Sequence, residues 1–330
     1  MLVVGPNGAG KTNLLESLHV GTQGFSPRTR SDAQLVRFGQ DAARIGLRGE
    51  RAGAELELEV TLQLGYAKRA KLNGARLRTA ERLRSEVATL VFTPDRLVVV
   101  KGAPAARRAY VDRVLGRISP ARAALPTEYG AALGQRNAAL RRTASGFSTR
   151  EALWPWTERV AQLARELVAA RRETIALLQP RFAERADELG VRSARLHYDA
   201  DPPSAEDLLA RLERDLARGT TGAGPHLDDV GLHSGDRDLR AFGSQGEQRL
   251  CVLALLLAEA ELVREQRSVP PLLLFDDVLS ELDPERRRIL VGRIRAYGQT
   301  LITSTTETAL PGEPDQLVHV QAGAEGTTAA

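Results

Sequence analysis

The sequence has a single cysteine, few lysines and no long apolar run, and each absence excludes a class of protein. Cys251 is the only cysteine in 330 residues, so an internal disulfide is excluded and a reducing cytoplasm is the expected location. The apolar residues 253–257 are soon followed by Glu259 and Glu261, which predicts no transmembrane helix and no membrane partner. A glycine-rich motif begins at Gly5, so we expect no signal peptide.

The basic residues are almost all arginines. Lysine occurs only at Lys11, Lys68, Lys71 and Lys101, whereas the sequence has 46 basic residues and a pI of about 9.5. An arginine can bind phosphate oxygens through two parallel N–H groups, so a polyanionic partner is physically reasonable. Arginines that only solvate helix surfaces would explain the same charge, and composition leaves both interpretations open.

Strand patterns occupy the two ends of the chain. Residues 45–64 alternate in the strand period, and Asn73-Gly74 is the typical pair of a type I′ hairpin. The other predicted strands are short apolar runs, at residues 2–4, 91–92, 97–100 and 272–275.

A helical block lies between the strand-rich ends. Helices are predicted over residues 107–115 and about 156–178, and the second places apolar residues of the segment 160–170 on one face. Pro180 interrupts the segment that follows. The tail from Ala322 consists of small and polar residues and is expected to be disordered.

Residues 5–12 match the phosphate-binding pattern G-x-x-x-x-G-K-[ST]. The residues expected to bind ATP there are Gly5, Pro6, Asn7, Gly8, Ala9, Gly10, Lys11 and Thr12. Glycines allow successive N–H groups to converge on the phosphates, and the following helix adds the positive end of its dipole. Lys11 is expected to act in catalysis by reaching the β- and γ-phosphates, and Thr12 to ligate Mg²⁺. A glycine-rich turn that only joins a strand to a helix is the alternative.

A pair of acidic residues follows the apolar run 272–275. A nucleotide-hydrolysing enzyme needs a carboxylate at a strand end to hold the metal ion. Asp276 is therefore expected to bind Mg²⁺, and Asp277 to orient the attacking water or to act as its base. An acidic cap on the next helix is the simpler explanation of the pair.

Ser244 opens a strongly apolar helix, with Gly246 two residues later. A serine and a glycine at a helix start can bind an anion, and in ABC-type ATPases such a signature helix caps the γ-phosphate bound by the opposite subunit. We expect Ser244 and Gly246 to take this role, although a plain N-cap would have the same sequence. Residues 280–283, Ser-Glu-Leu-Asp, then have the spacing of the D-loop of that class.

The order of these motifs predicts an α/β fold, in which an ABC-type ATPase lobe with a mixed sheet carries an inserted, mainly helical second lobe. The insertion is too long for a transporter ATPase and too short for a long coiled-coil ATPase. The expected boundaries are 1–102 and 223–314 for the two parts of the ATPase lobe, 103–222 for the helical lobe and 315–330 for a tail.

Further residues resemble the RecF family, bacterial recombination mediators of the ABC-type ATPase class. The resemblance runs from Leu2 to about Thr306 and includes segments that transporter and long coiled-coil ATPases do not share. These segments are Thr93-Pro94-Asp95, residues 101–104, residues 107–112, residues 135–141, Gly224-Pro225-His226-Leu227-Asp228-Asp229, and the tryptophan at 154 or 156.

The resemblance implies an ATP-gated DNA clamp. RecF-like proteins bind ATP, form an ATP-dependent homodimer in which each signature helix completes the other subunit's site, and bind DNA at single-strand gaps. With RecO and RecR they help to load RecA, and a weak, DNA-dependent ATP hydrolysis resets the clamp. The candidate DNA contacts, chosen by charge alone, are Arg28, Arg30, Arg107, Arg108, Arg136, Arg141 and Arg142.

Three features depart from related ATPases. RecF-like proteins carry further strands before the strand that enters the phosphate loop, whereas Met1 directly precedes that strand here. A truncated sheet would leave an open edge, so an open sheet edge is expected. The acidic pair is Asp-Asp where transporters have Asp-Glu, and the shorter carboxylate predicts slow hydrolysis. Where transporters place a switch histidine, Thr303, Ser304 and Thr305 offer hydroxyls to the γ-phosphate, and no Q-loop glutamine is assigned.

Two other functions stay open at the level of sequence. The chain could be the nucleotide-binding subunit of a membrane transporter, although its motif spacing argues against this. It could also be a fragment that keeps the motif order without a complete sheet or an activity.

Overall fold

The computed structural model describes residues 1–29, 31–51, 53–78, 81–267, 269–323 and 326–329. The chain folds as two compact units. The first unit consists of Met1–Arg96 and Leu253–Ala330, and the second of Leu97–Val252. The sequence predicted boundaries after residues 102 and 222, so the largest difference concerns residues 223–252, which belong to the second unit.

The first unit is built on a six-stranded sheet in the order β13-β12-β1-β11-β10-β6. All neighbouring strands are parallel except β12 and β13, which are antiparallel, so the sheet is mixed as predicted. Leu2, Val3 and Val4 are all buried, as expected for a parallel strand. The six strands are β1 (Leu2–Val4), β6 (Thr89–Phe92), β10 (Leu272–Phe275), β11 (Thr300–Ser304), β12 (Leu317–Gly323) and β13 (Gly326–Ala329).

The tail of the chain forms part of this sheet, so the disorder expected from Ala322 is wrong for the residues that the structure describes. β12 pairs in parallel with β1, and β13 folds back along β12. β1 therefore lies between β11 and β12 and is not an open edge. Composition did not show this because backbone hydrogen bonds to β1 and the burial of Val320 hold the strand in place, despite its small and polar side chains.

A second sheet of the first unit is antiparallel, with the order β2-β3-β4-β5. Leu58, Val60 and Leu62 lie on its inner face and pack with Val20 in one apolar cluster, which confirms the predicted alternation. Asn73 and Gly74 both have positive φ, 48° and 77°, as a type I′ turn requires. The strands are β2 (Ala42–Arg51), β3 (Ala54–Gln63), β4 (Arg69–Leu72) and β5 (Ala75–Arg76).

Helices of the first unit connect the strands. The helix α11 ends at Ile294, and Asp283 caps its start by accepting a hydrogen bond from the Arg286 N–H at 2.9 Å. These helices are α1 (Lys11–Gln23), α2 (Glu81–Glu86), α11 (Pro284–Ile294) and the part of α10 (Gln245–Arg267) that follows Val252.

The second unit is mainly helical, as predicted. Its core cluster joins Val160, Leu163, Leu167 and Ala170 of α6 to residues of α4, α5 and α7, including Tyr129. The helices are α3 (Val98–Lys101), α4 (Pro104–Ile118), α5 (Leu125–Ala144), α6 (Trp154–Glu188), α7 (Ala205–Ala210), α8 (Leu212–Arg218), α9 (Leu239–Phe242) and the start of α10.

Pro180 lies inside α6, which continues to Glu188 and is not interrupted there. A proline removes one backbone donor, but packing on both sides can hold a helix through it. Leu178 and Phe182 on either side of Pro180 are fully buried, so tertiary contacts outweigh the local signal.

The strand predicted over residues 97–100 is wrong, because Val98–Lys101 forms the short helix α3. A short apolar run does not distinguish the helical period from the strand period. Val98 is 52% exposed, whereas its neighbours Val99 and Val100 are both buried, which suits a helical face and not the alternation of a strand.

A three-stranded antiparallel sheet in the order β7-β8-β9 completes the second unit. The strands are β7 (Ala194–His197), β8 (Gly231–Ser234) and β9 (Arg237–Asp238). The pairing of β8 with β7 explains why residues 223–252 join the helical unit and not the ATPase lobe. Among the described residues, no helix combines the length and the apolar character that crossing a membrane would require.

Candidate functional site

The phosphate-binding loop connects β1 to α1 and is shaped by contacts among its own residues. Ala9 donates a backbone hydrogen bond to the Pro6 carbonyl oxygen at 3.2 Å, and Gly10 precedes α1 with a φ of 98°. Lys11 Nζ donates to the carbonyl oxygens of Gly5 at 2.6 Å and of Pro6 at 2.9 Å, so its ammonium group lies against the loop. The start of α1 has no side-chain cap in the described structure, and its N–H groups suit an anion.

Close packing against the tail hairpin requires two of the loop glycines. A Cβ atom at Gly5 would overlap the Val320 carbonyl oxygen, and one at Gly10 would overlap the Thr327 side chain. Thr327 Oγ1 also donates to the Ala9 carbonyl oxygen at 3.1 Å. The backbone at position 10 favours glycine for a second reason, because other residues rarely adopt its positive φ. No local pattern predicts this contact, because the small and polar residues of the tail are typical of disorder.

Thr12 and Asp276, the residues predicted to bind magnesium, lie in direct contact. Thr12 Oγ1 donates to Asp276 Oδ1 at 3.0 Å and is 3.1 Å from Asp276 Oδ2. Asp276 directly follows β10, which is separated from β1 only by β11. Because these three strands are parallel, the residues after their carboxyl ends meet at one edge of the sheet.

Asp277 has an uncommon backbone conformation, with a φ of 48° in the left-handed region. Its N–H donates to Thr303 Oγ1 at 3.0 Å, and its carbonyl oxygen accepts from Ser280 Oγ at 2.8 Å. In the described part of the chain, Asp277 Oδ1 is buried without a hydrogen-bond partner. A strained backbone and an unpaired buried carboxylate oxygen are typical of functional sites.

Thr303 lies at the end of β11 and contacts both aspartates. Its Oγ1 donates to Asp276 Oδ1 at 2.8 Å and accepts from the Asp277 N–H, and its side chain is fully buried. The sequence predicted that the hydroxyls of Thr303, Ser304 and Thr305 face the γ-phosphate. The Thr303 hydroxyl instead has hydrogen bonds to the acidic pair, Ser304 is buried and accepts a backbone hydrogen bond, and Thr305 is exposed.

The chemistry of these residues fits a nucleotide phosphate and a magnesium ion. Mg²⁺ prefers oxygen ligands, which the Thr12 hydroxyl and the Asp276 carboxylate supply. Thr93 follows β6, the neighbour of β10, and among the described residues its buried Oγ1, like Asp277 Oδ1, has no hydrogen-bond partner. Buried polar atoms need water or a ligand, so this edge of the sheet is suited to a hydrated ion. Sequence reasoning did not assign Thr93 to the site.

Ser244 and Gly246 belong to the second unit, at the exposed start of α10. Ser244 Oγ accepts from the Glu247 N–H at 3.2 Å, and Glu247 Oε2 accepts from the Ser244 N–H at 2.9 Å, which is a capping box. These hydrogen bonds, and Arg237 beside the carboxylate, hold the pKa of Glu247 below its ordinary value. The N-cap interpretation of Ser244 is therefore confirmed, and its expected contact with a second subunit stays a prediction.

Burial excludes two of the arginines that charge had suggested as DNA contacts. Arg107 and Arg136 are 3% and 0% exposed, and each is paired with an aspartate of the same unit, so their assignment to DNA is wrong. Arg108 is half-buried and donates to the Asp228 carbonyl oxygen at 2.6 Å. The remaining candidates are the exposed Arg28, Arg141 and Arg142, and Arg30, which lies outside the described residues.

Buried arginines hold together residues 107–112 and 224–229, two of the segments that suggested the resemblance, because Arg171 also donates to the Pro225 carbonyl oxygen at 2.8 Å. The Arg107 guanidinium binds both oxygens of Asp229 at 2.7 Å, and Arg171 binds both oxygens of Asp112 at 2.8 and 2.9 Å. Arg136 donates to Asp215 at 2.9 Å, and both side chains are buried. These residues hold the second unit together, so their role is structural.

His226 also has a structural role in the second unit. Its Nε2 lies 3.1 Å from the Thr221 carbonyl oxygen, which can only accept, so Nε2 carries the proton and Nδ1 accepts from the Tyr129 hydroxyl at 2.7 Å. Burial lowers the pKa of His226, and the positive charge of Arg108 lowers it further. Burial raises the pKa of Tyr129, so its hydroxyl stays protonated and keeps donating.

Comparison with known proteins gives the family. The family described as "RecF/RecN/SMC N terminal domain" matches residues 1–329. The DNA replication and repair protein RecF of Heliobacterium modesticaldum is 37% identical over 96% of this chain and 88% of its own length. The same protein of Anaeromyxobacter sp. (strain K) is 39% identical over 92% of this chain and 86% of its own length.

Solved structures agree with this result. The recombination mediator protein RecF with ATP has a TM-score of 0.88 and 25% identity over 97% of this chain and 89% of its own. The Smc head domain of Pyrococcus furiosus, 16% identical with a TM-score of 0.58 over 100% of this chain and 89% of its own, shares the fold alone. The chain therefore belongs to the RecF family of DNA replication and repair proteins.

Proposed function

We propose that this chain binds ATP and Mg²⁺, dimerises when ATP is bound, and then grips DNA during replication and repair. One observation carries the proposal: the Thr12 hydroxyl lies 3.0 Å from the Asp276 carboxylate, beside a phosphate loop and an unpaired Asp277 oxygen. A phosphate site and a magnesium site thus share one edge of the sheet. The RecF structure solved with ATP supports nucleotide binding for this family.

In the proposed binding step, the loop N–H groups and Lys11 hold the phosphates. Lys11 Nζ lies within 2.9 Å of two loop carbonyl oxygens, so a small rotation of its side chain suffices to reach a phosphate in the loop. Thr12 and Asp276 hold Mg²⁺, which neutralises negative charge on the phosphate oxygens when it is bound.

In the proposed hydrolysis step, Asp277 orients a water molecule. Its Oδ1 is buried and has no hydrogen-bond partner among the described residues, so it can accept a hydrogen bond from water and take up the proton. An aspartate reaches less far than a glutamate, which favours slow hydrolysis. Slow turnover suits a protein that must stay closed on DNA before it resets.

In the proposed dimerisation step, Ser244 and Gly246 contact the γ-phosphate held by a second copy of the chain. A Cβ atom at Gly246 would meet Ser244 Oγ at 3.9 Å, and the described residues place nothing closer. Packing within the chain therefore does not require glycine at this position. A small residue at an exposed helix start lets a phosphate approach the backbone N–H groups, which explains the glycine.

The proposed DNA contacts are electrostatic. Arg141 and Arg142 are exposed near the end of α5 and can bind phosphates, whereas Arg107 and Arg136 are occupied by carboxylates. DNA with a single-strand gap is the proposed substrate, and RecO and RecR are the proposed partners in helping to load RecA.

The test measures the affinity for gapped DNA with ATP and Mg²⁺ and without nucleotide, in wild type and in two variants. Wild type should bind DNA more tightly with ATP. Lys11→Ala should show the same low affinity in both conditions, because it loses productive nucleotide binding. Ser244→Arg should bind ATP as a monomer, but should fail to dimerise in sedimentation and gain no DNA affinity. Equal DNA affinity of wild type in both conditions would contradict the clamp, and loss of monomer ATP binding in Ser244→Arg would contradict the contact between subunits.

A further inference from the structure

The hydroxyl of Thr303 is engaged as both donor and acceptor at the acidic pair. It donates to Asp276 Oδ1 at 2.8 Å and accepts from the Asp277 N–H at 3.0 Å. A threonine hydroxyl has one proton, and this geometry directs it to the Asp276 carboxylate. The same atom therefore holds the side chain of one aspartate and the backbone of the next.

The strand register explains why Thr303 reaches both residues. Phe275 of β10 pairs with Ile302 of β11 in a parallel ladder, so Asp276 and Thr303 are the next residues along each strand. Thr303 is fully buried and β-branched, which restricts its χ1 rotamers. The hydroxyl is thus fixed by packing, and it can fix its neighbours in turn.

We propose that Thr303 is a positioning residue that orients the Asp276 carboxylate for Mg²⁺ and holds the Asp277 backbone in its left-handed conformation. The proposal rests on the ATP and Mg²⁺ site proposed above and adds a third residue to the machinery of the acidic pair. Thr303 does not touch the nucleotide in this role. It acts through the two aspartates.

The orientation of the carboxylate matters because Asp276 Oδ1 accepts from two hydroxyls. Thr12 Oγ1 approaches it at 3.0 Å from the start of α1, and Thr303 Oγ1 approaches at 2.8 Å from β11. Together the two hydroxyls fix the orientation of the Asp276 carboxylate. Its Oδ2 can still accept hydrogen bonds from the water molecules around an ion. Residues that orient metal ligands in this way typically change metal affinity by about 10- to 100-fold when they are replaced.

The backbone contact has a separate consequence for Asp277. Its φ of 48° is unfavourable for a residue other than glycine, so surrounding contacts must hold it. The hydrogen bond from its N–H to Thr303 is one such contact, and the hydrogen bond from Ser280 Oγ to its carbonyl oxygen is another. Removing the Thr303 hydroxyl should release the first and let the peptide bond before Asp277 move.

The test compares Thr303→Val, which keeps the shape and removes the hydroxyl, with Thr303→Ser, which keeps the hydroxyl. Thr174→Val is the matched control, because Thr174 is equally buried and its hydroxyl donates only to the Ala170 carbonyl oxygen in its own helix. A fluorescent, slowly hydrolysed ATP analogue is titrated into each full-length chain at increasing Mg²⁺ concentrations and in EDTA.

In Thr303→Val, the Mg²⁺ concentration for half-maximal nucleotide binding should rise about 10-fold or more, while the affinity in EDTA stays the same. Hydrolysis should show a lower kcat with little change in KM. Thr303→Ser should behave like wild type within about twofold in both measurements. The Thr174→Val control should keep the wild-type Mg²⁺ dependence even if its stability falls.

A second measurement does not depend on nucleotide. Hydrogen exchange of the peptide that contains Asp277, in the nucleotide-free chain, should be faster in Thr303→Val than in Thr303→Ser or wild type. Unchanged exchange and an unchanged Mg²⁺ dependence in Thr303→Val would overturn the positioning role. Wild type that binds no nucleotide, but shows the expected exchange difference, would instead overturn the proposed function and leave the contact intact.

Discussion

The two compact units differ in how they pair their buried charged groups. In the second unit, buried arginines are matched by carboxylates, as in the pair of Arg136 with Asp215, where neither side chain is more than 1% exposed. At the edge of the first unit, two buried polar atoms, Thr93 Oγ1 and Asp277 Oδ1, have no hydrogen-bond partner among the described residues. Single buried atoms without a partner, such as His233 Nδ1 and Gln248 Oε1, also occur among the described residues of the second unit. Its buried arginine charges are nevertheless neutralised within the unit, whereas the site of the first unit keeps a carboxylate oxygen available for water or a ligand.

This difference separates residues that stabilise the fold from residues suited to chemistry. A buried ion pair contributes specificity and is destabilising to break, but it offers nothing to a substrate. An unpaired oxygen and a left-handed aspartate lower stability and make a site available for binding. Removing a paired buried charge from the second unit should therefore lower stability, whereas replacing the strained Asp277 of the first unit should raise it.

The largest effect is expected in the second unit, from Arg136→Met. The substitution removes hydrogen bonds to Asp215, Thr221, Thr157 and the Leu208 carbonyl oxygen, and leaves a buried carboxylate without its cation. We expect the free energy of unfolding to fall by about 3–5 kcal/mol, measured by urea denaturation.

The exposed ion pair between Arg150 and Glu213 provides the control for that variant. Both side chains are more than half exposed, at 59% and 71%, so Arg150→Ala should lower stability by no more than about 1 kcal/mol. Comparable losses in the two variants would show that burial does not distinguish these pairs.

A gain in stability is expected in the first unit, from Asp277→Gly. Glycine adopts a φ of 48° without strain, and the substitution also removes a buried carboxylate oxygen that has no partner among the described residues. The free energy of unfolding should rise by up to about 1 kcal/mol, while ATP hydrolysis is lost. Thermal unfolding and a phosphate-release assay measure the two outcomes.

Ser193→Gly is the matched control, because Ser193 has a φ of 52° and lies in the second unit. It should gain a similar amount of stability and keep wild-type hydrolysis. A loss of stability in Asp277→Gly would mean that the carboxylate serves the fold and not only the site.

The smallest effect is a pH dependence from His226. His226 lies beside Tyr129, and burial lowers its pKa below the ordinary value of 6.5. The positive charge of Arg108 lowers the pKa further, whereas the negative charges of Asp228 and Asp215 oppose the shift. As the pH falls through 6.5, the unfolded chain takes up a proton before the folded chain does, so stability decreases towards acid.

The variant His226→Gln can keep both hydrogen bonds, since its amide can donate to Thr221 and accept from Tyr129. Unfolding measured above and below pH 6.5 should show a weaker acid dependence in this variant than in wild type. An identical slope in both proteins would assign the acid sensitivity to other groups.

Sequence alone predicted those site residues that belong to a motif with a fixed spacing and fixed residue types. Lys11, Thr12 and Asp276 follow that rule, and the structure brings Thr12 and Asp276 into contact as expected. The sequence could not predict the hydrogen bonds of Thr303 to Asp276 and Asp277, because they depend on the register of β10 and β11. Strand register is set by packing across the sheet and leaves no local pattern.

The failed fold predictions have related causes. The helix over Val98–Lys101 and the continuation of α6 through Pro180 are decided by burial on one side of the segment, which local propensity does not report. Charge suggested Arg107 and Arg136 as DNA contacts, but charge does not distinguish an exposed cation from one buried beside a carboxylate.

The position of β1 between β11 and β12 has a consequence for how the chain is made. Leu2 pairs with Ile302 on one side and with Leu317 on the other, so both neighbours of this strand are synthesised long after it. Contacts between such distant residues form slowly, and until then the strand has no partners. The nucleotide site of a nascent chain therefore cannot assemble before β11 and β12 have been synthesised, and chaperones have most reason to act during that interval.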